Sequence, residues 1–513
     1  MQEDSLVVIP EIISNLGLTD ESRYRFEWMA IVNATSHTPE MFIPISTERN
    51  LRISSLGSVL AANRSYVMRF RVIDNNTGVF AQARFGIRVD EAFSRGWLVM
   101  NEIDDAGDGV RMRLDMLERR PGRSLIYHED VLDMSGSQLP MDQRGRPIGI
   151  HVFTDQLLSP NRTAFYILTE TGSNRLSNAT FMETVVGDGE LVEVPVPILS
   201  WRETWRLRHH FRLPGQVPDT LFAEAMHTAG TNTVVAAQGN LYRMNPAMNI
   251  LFGDPINRLT GGGPTFRASH HIAGNSIVFD MDSRSFRQVM GQNQLVQPIN
   301  EGTATPSIIA RRISYQNMTN FDLVAMFDNA TRPTGSPGFV YIIMKNEQTG
   351  KYWLMQSDMG SMRQDVWEEL GTRYGSGAGD GTFTQTRIHE AAQQERPLFL
   401  GGGRYPNTFY YAVGGGIYAY DIASGTSIRA VYFPGKTVTF MRFLAGGDGS
   451  ISLAGVNRDM ARDMLVGLWD PVEGRGTLRQ FEVRAEGAFT ELDTDFFGSP
   501  ETNFGKIIDV FHR

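Results

Sequence analysis

The stretch "SWRETWRLRHHFRLP", residues 200–214, is the most suggestive surface in the chain. Trp201, Trp205, Leu207 and Phe211 fall on odd positions, whereas Arg202, Arg206, Arg208 and Arg212 fall on even ones. Successive side chains of a strand point to opposite faces, so this pattern sets one apolar face against one arginine face. Trp and Arg are strongly enriched at binding hot spots. Trp201, Arg202, Trp205, Arg206, Arg208 and Arg212 are therefore the candidate partner contact. The plainer reading is a sheet strand whose arginines pair with neighbouring acids. Two further aromatics sit in long, turn-rich stretches: Tyr127 in "IYHEDVLDMSGSQLPMDQRGRP" and Trp367 in "QDVWEELGTRYGSGAGDGTF". Function tends to concentrate in such segments. Each ring is either a platform for a ligand such as a sugar or a pin holding its loop to the scaffold.

Other motifs point away from catalysis and metal binding. Asp104-Asp105-Ala106-Gly107-Asp108-Gly109 mimics part of a calcium loop, but its third position is Ala and Asp115, not Glu, falls twelfth. A turn between two strands is the expected role. "HEAAQ", His389 to Gln393, resembles a zinc-protease helix whose second histidine has become Gln, which removes half of the helical clamp. The doublets His209-His210 and His270-His271 cannot chelate as units on strands, because neighbours point apart. The glycine clusters Gly261–Gly263, Gly401–Gly403 and Gly414–Gly416 do not lead into the Lys-Ser/Thr and helix of a phosphate loop. Tight turns where repeats converge are expected there. Asp493 and Asp495 share a strand face, but glycosidase acids usually come from different elements. No catalytic residue, metal site or cofactor is expected.

Composition narrows the partners. The chain has 513 residues, more than one core usually serves, so two or more domains are expected. It contains no cysteine, which excludes disulfides and thiolate chemistry and suits export through an oxidising compartment. Basic residues number 48 against 57 acidic ones, a net charge of −9 without a basic block, which argues against nucleic acid. No apolar run approaches the roughly 20 residues that span a bilayer. The start, "MQEDSLVVIP", lacks the features of a signal peptide, so an export segment is either not used or already removed.

The elements that must position these residues are strands. Tyr24, Phe26 and Trp28 alternate with Arg25 and Glu27, and "YVMRFRVIDNNTGVFAQARFGIRV" is two alternating strands around the turn Asp74–Gly78. Residues 1–92 are predicted to form an immunoglobulin-like β-sandwich. From Trp97 onward a strand–turn–strand unit recurs, clearest in "NSIVFDMDSRSFRQV", "GGIYAYDIASGTSIRAVYF" and "MLVGLWDPVEGRGTLRQF". Phe279-Asp280, Tyr420-Asp421 and Trp469-Asp470 are expected to occupy one place in every copy. Related hairpins at 97–117, 163–177, 234–244 and 339–355 bring the units to seven. Repeated β units of roughly 40–50 residues indicate a propeller. Residues 93–513 are predicted to form one, with seven blades, closed by the terminal strand in "NFGKIIDVFHR". The fold class is all-β.

These residues resemble a known family. "YRFEWMA…FIPISTERNLRI…YVMRFRVIDNNTGVFAQARFGIRV", then "GWLVMNE…VRMRLDML" and the terminal "FGKIIDV", are similar to the PKD-like lipoproteins of Bacteroidota. The likeness is strongest over residues 20–120 and at the C-terminus. It departs from the PKD pattern at "WDFGDG", since Trp28 is followed by Met29-Ala30-Ile31. The resemblance implies a non-enzymatic lipoprotein at the outer-membrane cell surface. It would be an accessory of a starch-utilisation-type system, with a TonB-dependent transporter and its lipoprotein lid as partners, other surface lipoproteins beside them, and a peptide or glycan nutrient. The implied anchor is a lipidated cysteine ahead of residue 2. The alternatives are a propeller hydrolase acting on glycan or peptide before import, and an adhesion protein.

Overall fold

A computed structural model describes residues 6–13, 21–32, 41–53, 59–60, 64–89, 96–105, 109–118, 126–134, 141, 144–155, 162–177, 183–187, 190–194, 196–197, 225–229, 232–237, 239–245, 250–251, 255–257, 266–273, 277–289, 296–299, 314–328, 339–358, 364–371, 380–403, 405, 407–443, 463–484, 487–492 and 502–512. The chain divides into two compact units, Met1–Ser94 and Arg95–Arg513.

The first unit packs two antiparallel sheets. One has the order Met41–Ser46, Tyr24–Val32, Arg64–Asp74, Phe80–Val89, and the other pairs Leu6–Val8 with Leu51–Ile53. Alternation selects the core: Trp28, Ala30, Met68 and Phe70 lie against Leu51 and Ile53 of the facing pair. The Trp28 ring sits 4.3 Å from that of Phe70, and its indole N–H donates to the Glu48 carbonyl at 2.9 Å. A buried Trp thus satisfies its one donor while filling the centre of the sandwich.

In the second unit, seven four-stranded antiparallel sheets occur among the described residues. We number them as blades in chain order. Blade one contains Gly96–Asp105, Gly109–Glu118 and Ile126–His128, and its innermost strand is the chain end, Lys506–His512. The innermost strands of blades two to seven are Pro147–Asp155, Ala225–Ala229, Ala268–Ala273, Phe321–Asp328, Phe399–Gly401 and Thr437–Phe443. From blade one to blade six each innermost strand touches the next. That of blade seven touches the second strand of blade six and the innermost strand of blade one, so the cycle closes. Apolar layers fill the gaps: Trp97, Val99 and Leu117 of blade one meet Phe440, Leu465 and Leu478 of blade seven. Tyr411 and Tyr418 of blade six meet Tyr341 and Leu354 of blade five in the same way. The innermost strands of blades one, two, four, five and seven each carry a register shift, the bulge that bends a strand at a crowded rim.

The turns explain the aromatic–Asp signature. Asp280 and Asp470 close the second strands of blades four and seven, and Asn346 does so in blade five. Each side-chain oxygen accepts two backbone N–H groups of its turn, at 2.9–3.0 Å. Tyr420-Asp421 is a correction: it closes the third strand of blade six, Gly416–Asp421, at the other end of its sheet. The local turn chemistry is the same there, with the Ser424 N–H on Asp421 Oδ1 at 2.6 Å. Four residues after the acceptor the backbone turns left-handed, at Gly350, Gly425 and Gly474 and, in blade four, at Arg284 with φ +51°.

Gly415 joins the second and third strands of blade six against the chain entering blade seven. Its carbonyl accepts the Phe433 N–H at 2.8 Å. A Cβ there would lie 2.2 Å from the Phe433 carbonyl oxygen and 2.6 Å from that of Lys436, both backbone atoms. Gly350 has a left-handed φ of +70° but open space around it. Gly415→Ala is therefore expected to cost about 2–4 kcal/mol in chemical denaturation, and Gly350→Ala about 1 kcal/mol. Equal costs would contradict this close approach between blades.

Candidate functional site

Trp201, Arg202, Trp205, Arg206, Arg208 and Arg212 lie outside the described residues, as do His209-His210, Gly261–Gly263, Asp493 and Asp495. Asp105 and Gly109 are paired across the first hairpin of blade one, so the acidic stretch bounds a strand connection. His389 lies on the helix Thr384–Ala392, with its Nδ1 2.8 Å from the Tyr352 hydroxyl. Among the described residues no group of three or more His, Asp and Glu is placed to hold a metal ion. Nor is any helix long and apolar enough to cross a membrane.

The two aromatic candidates are on strands rather than in loops, which corrects their expected placement. Trp367 lies on Gln364–Glu369, stacked on Trp353 at 5.1 Å and edge-on to Phe321 at 5.2 Å. Tyr127 lies on Ile126–His128, edge-on to Phe504 at 5.3 Å. Its hydroxyl donates to Asp115 at 3.0 Å. Both rings are pinned to the scaffold by packing.

Asp115 is the centre of a polar knot in blade one. Its carboxylate is fully buried and accepts from Arg113 and Asn101 at 2.8 Å, from Tyr127, and from the Asp130 N–H at 2.9 Å. Arg113 also donates to Glu129 and to the Asn503 carbonyl, tying the strand to the segment ahead of the chain end. Burial pushes the Asp115 carboxyl up to about 6, against the pull of Arg113 and of the backbone donor. Burial likewise raises the Tyr127 phenol.

A charged constellation that the sequence did not disclose gathers where three innermost strands begin. Arg146 directly precedes the innermost strand of blade two, Arg396 lies three residues before that of blade six, and Lys506 opens that of blade one. Glu102, on the second strand of blade one, takes all three: Arg146 at 3.7 Å, Arg396 at 3.4 Å and Lys506 at 3.3 Å. Glu395 adds an ion pair with Arg146 and a longer one, 3.8 Å, with Lys506. Arg396 also donates to the Pro147 carbonyl at 2.5 Å. On the innermost strand of blade seven, Arg442 meets Asp509 of blade one at 3.1 Å. Asp509 also accepts the Ile150 N–H of blade two at 2.9 Å. The tier at the mouth therefore links blade six to blade one across blade seven, and the tier on the inner wall links blade one to its two neighbours.

This mouth is built to hold charge. Its hydrogen bond with Arg146, then the Lys506 charge, keep the Glu395 carboxyl below the usual range, while burial lowers the Arg396 guanidinium. A general acid needs the opposite shift together with access to substrate. Asp115 has the raised value but is covered by its donors.

The knot generates a pH prediction. The folded chain holds the Asp115 proton more tightly than an unfolded chain, in which the carboxyl ionises near 3.8. Its contribution to stability is full below about pH 4 and is lost as pH rises through about 6. Relative to Asp115→Asn, which cannot titrate, wild-type stability should fall by about 3 kcal/mol between pH 4 and pH 7. Urea denaturation at a series of pH values measures this. A constant difference would refute the assignment.

Comparison with known proteins adds limited likeness. No curated protein matches the chain. A quinoprotein alcohol dehydrogenase-like protein of Bacteroides thetaiotaomicron superposes with a TM-score of 0.40 at 9% identity, over 99% of this chain and 94% of that one. The WD40 domain of Neurospora crassa Pan2 gives 0.26 at 10% identity, over 70% and 91%. The N-terminal domain of Nup159 gives 0.29 at 10% identity, over 81% and 88%. Residues 1–135 match the model of the PKD-like family, so the chain carries a PKD-like domain at its N-terminal end, and the match runs on through the strands of blade one that end at His128.

Proposed function

We propose that this chain is a non-enzymatic lipoprotein of the bacterial cell surface, an accessory of an outer-membrane TonB-dependent complex that imports a peptide or glycan nutrient. The observation that carries this reading is the PKD-like match over residues 1–135, together with what the family resemblance implies. The propeller supports it in a general way. A closed ring of blades is rigid, and its faces present loops and charged rims to partners. The charges at the mouth favour recognition over catalysis, because Glu395 there is held as an anion by its cation neighbours. A hydrolase acting before import would need two working carboxylates, or a nucleophile and its base, converging on one face.

Extraction of the lipidated protein from its native outer membrane tests this reading. Co-purification with a TonB-dependent transporter and its lipoprotein lid is expected. Recovery of the protein alone, at native expression and in several mild detergents, would overturn it. Release of product from a panel of glycans and peptides by the purified chain would favour the hydrolase instead.

A further inference from the structure

The mouth of the ring gathers like charges from three blades. Arg146, Arg396 and Lys506 come from blades two, six and one and converge on the single buried carboxylate of Glu102. Three cations around one anion repel one another, and such an arrangement persists only with further negative charge nearby. That charge comes from Glu395, whose side chain is 58% exposed whereas that of Glu102 is 9% exposed. Glu395 is carried on the short connection between the helix Thr384–Ala392 and the innermost strand of blade six. One of its oxygens pairs with Arg146 and the other lies 3.8 Å from Lys506. Glu170 donates its backbone N–H to the Arg146 carbonyl at 2.9 Å, and its side-chain charge reaches the Arg146 and Arg396 guanidinium groups as a field rather than as an ion pair.

We propose that Arg146, Arg396 and Lys506 form a carboxylate-binding subsite at the propeller mouth, occupied in the free protein by the chain's own Glu395. Glu102 is the fixed counter-charge that holds the cations together, and Glu395 is the exchangeable one. Arginine presents parallel donors that match a carboxylate, and lysine adds a point charge. An incoming carboxylate takes the place of Glu395, whose exposed side chain turns out into solvent. The ligand class is a solute or chain end bearing a carboxylate, such as a peptide C-terminus or an acidic sugar. This inference concerns binding by the isolated chain and stands apart from any membrane partner.

The test is titration calorimetry at constant ionic strength with succinate, triglycine, triglycine amide, galacturonate and galactose. Wild type is expected to bind the carboxylates weakly and the neutral counterparts not at all. Glu395→Gln, which removes the internal competitor, should bind carboxylates at least tenfold more tightly. Adding Arg146→Met or Lys506→Met to that variant should abolish the gain, with the unfolding transition showing that the ring is intact. If Glu395→Gln fails to fold, Glu395→Asp withdraws the internal carboxylate by one methylene and should tighten binding in the same direction. Preference for triglycine over its amide identifies a peptide end, and preference for galacturonate over galactose an acidic glycan. Absence of carboxylate binding by both wild type and the Glu395 variant overturns the proposal, as does binding that survives loss of Arg146 and Lys506.

Discussion

The pairing of the chain end Lys506–His512 with Gly96–Asp105 is the contact on which the second unit depends. A blade exposes one strand edge toward the axis, and an open ring would leave such an edge unpaired. Here the last strand of the chain becomes the first strand of the first sheet, with Val510 opposite Val99 and Phe511 opposite Leu98. The same strand supplies Ile507 and Val510 to the layer between blades seven and one, Lys506 to the mouth, and Asp509 to the inner wall. Closure, packing and charge thus meet on seven residues.

Apolar layers and charge networks do different work in this ring. Layers such as Tyr341, Leu354, Tyr411 and Tyr418 run continuously between neighbouring blades and provide the burial that holds them together. The ion pairs at the mouth reach farther, joining blades one, two and six, which no hydrophobic layer could do across an axis. Partly exposed pairs add little to stability, so their value lies in fixing where charge stands. Asp115 is the contrasting case: fully buried with four donors, it would become an uncompensated buried charge if any of those partners were removed.

How far the sequence could be read follows from the range of each signal. Alternation along Tyr24–Val32 and the Asp-and-Gly turns are local, and they disclosed the strands of the sandwich and most hairpins of the propeller. The same locality misled at Tyr420-Asp421, because an aromatic–Asp turn fits either end of a sheet and carries no mark of which. Tyr127 and Trp367 were expected in loops because turn-forming residues flank them, whereas pairing with neighbouring strands decides their place. Glu102, Arg146, Glu395, Arg396 and Lys506 had no legible signal. They are ordinary charged letters at four separate points of the chain, and only ring closure brings positions 102 and 506 together.

Arg284 shows how a local rule gives way to such long-range demands. Its position in the turn takes glycine in blades five and seven, since a Cβ at positive φ costs about 1–2 kcal/mol. Blade four keeps arginine at φ +51° and directs its guanidinium out of its own sheet. It donates to Glu347 in the turn of blade five at 2.7 Å and to the Thr319 carbonyl at 2.9 Å, and lies 3.2 Å from Asp322. A glycine would relax the turn and leave Glu347 and Asp322, two acids in electrostatic contact, without their shared cation. The strain is therefore retained where two blades must agree on the position of a turn, by the same logic that sets three cations around Glu102 at the mouth.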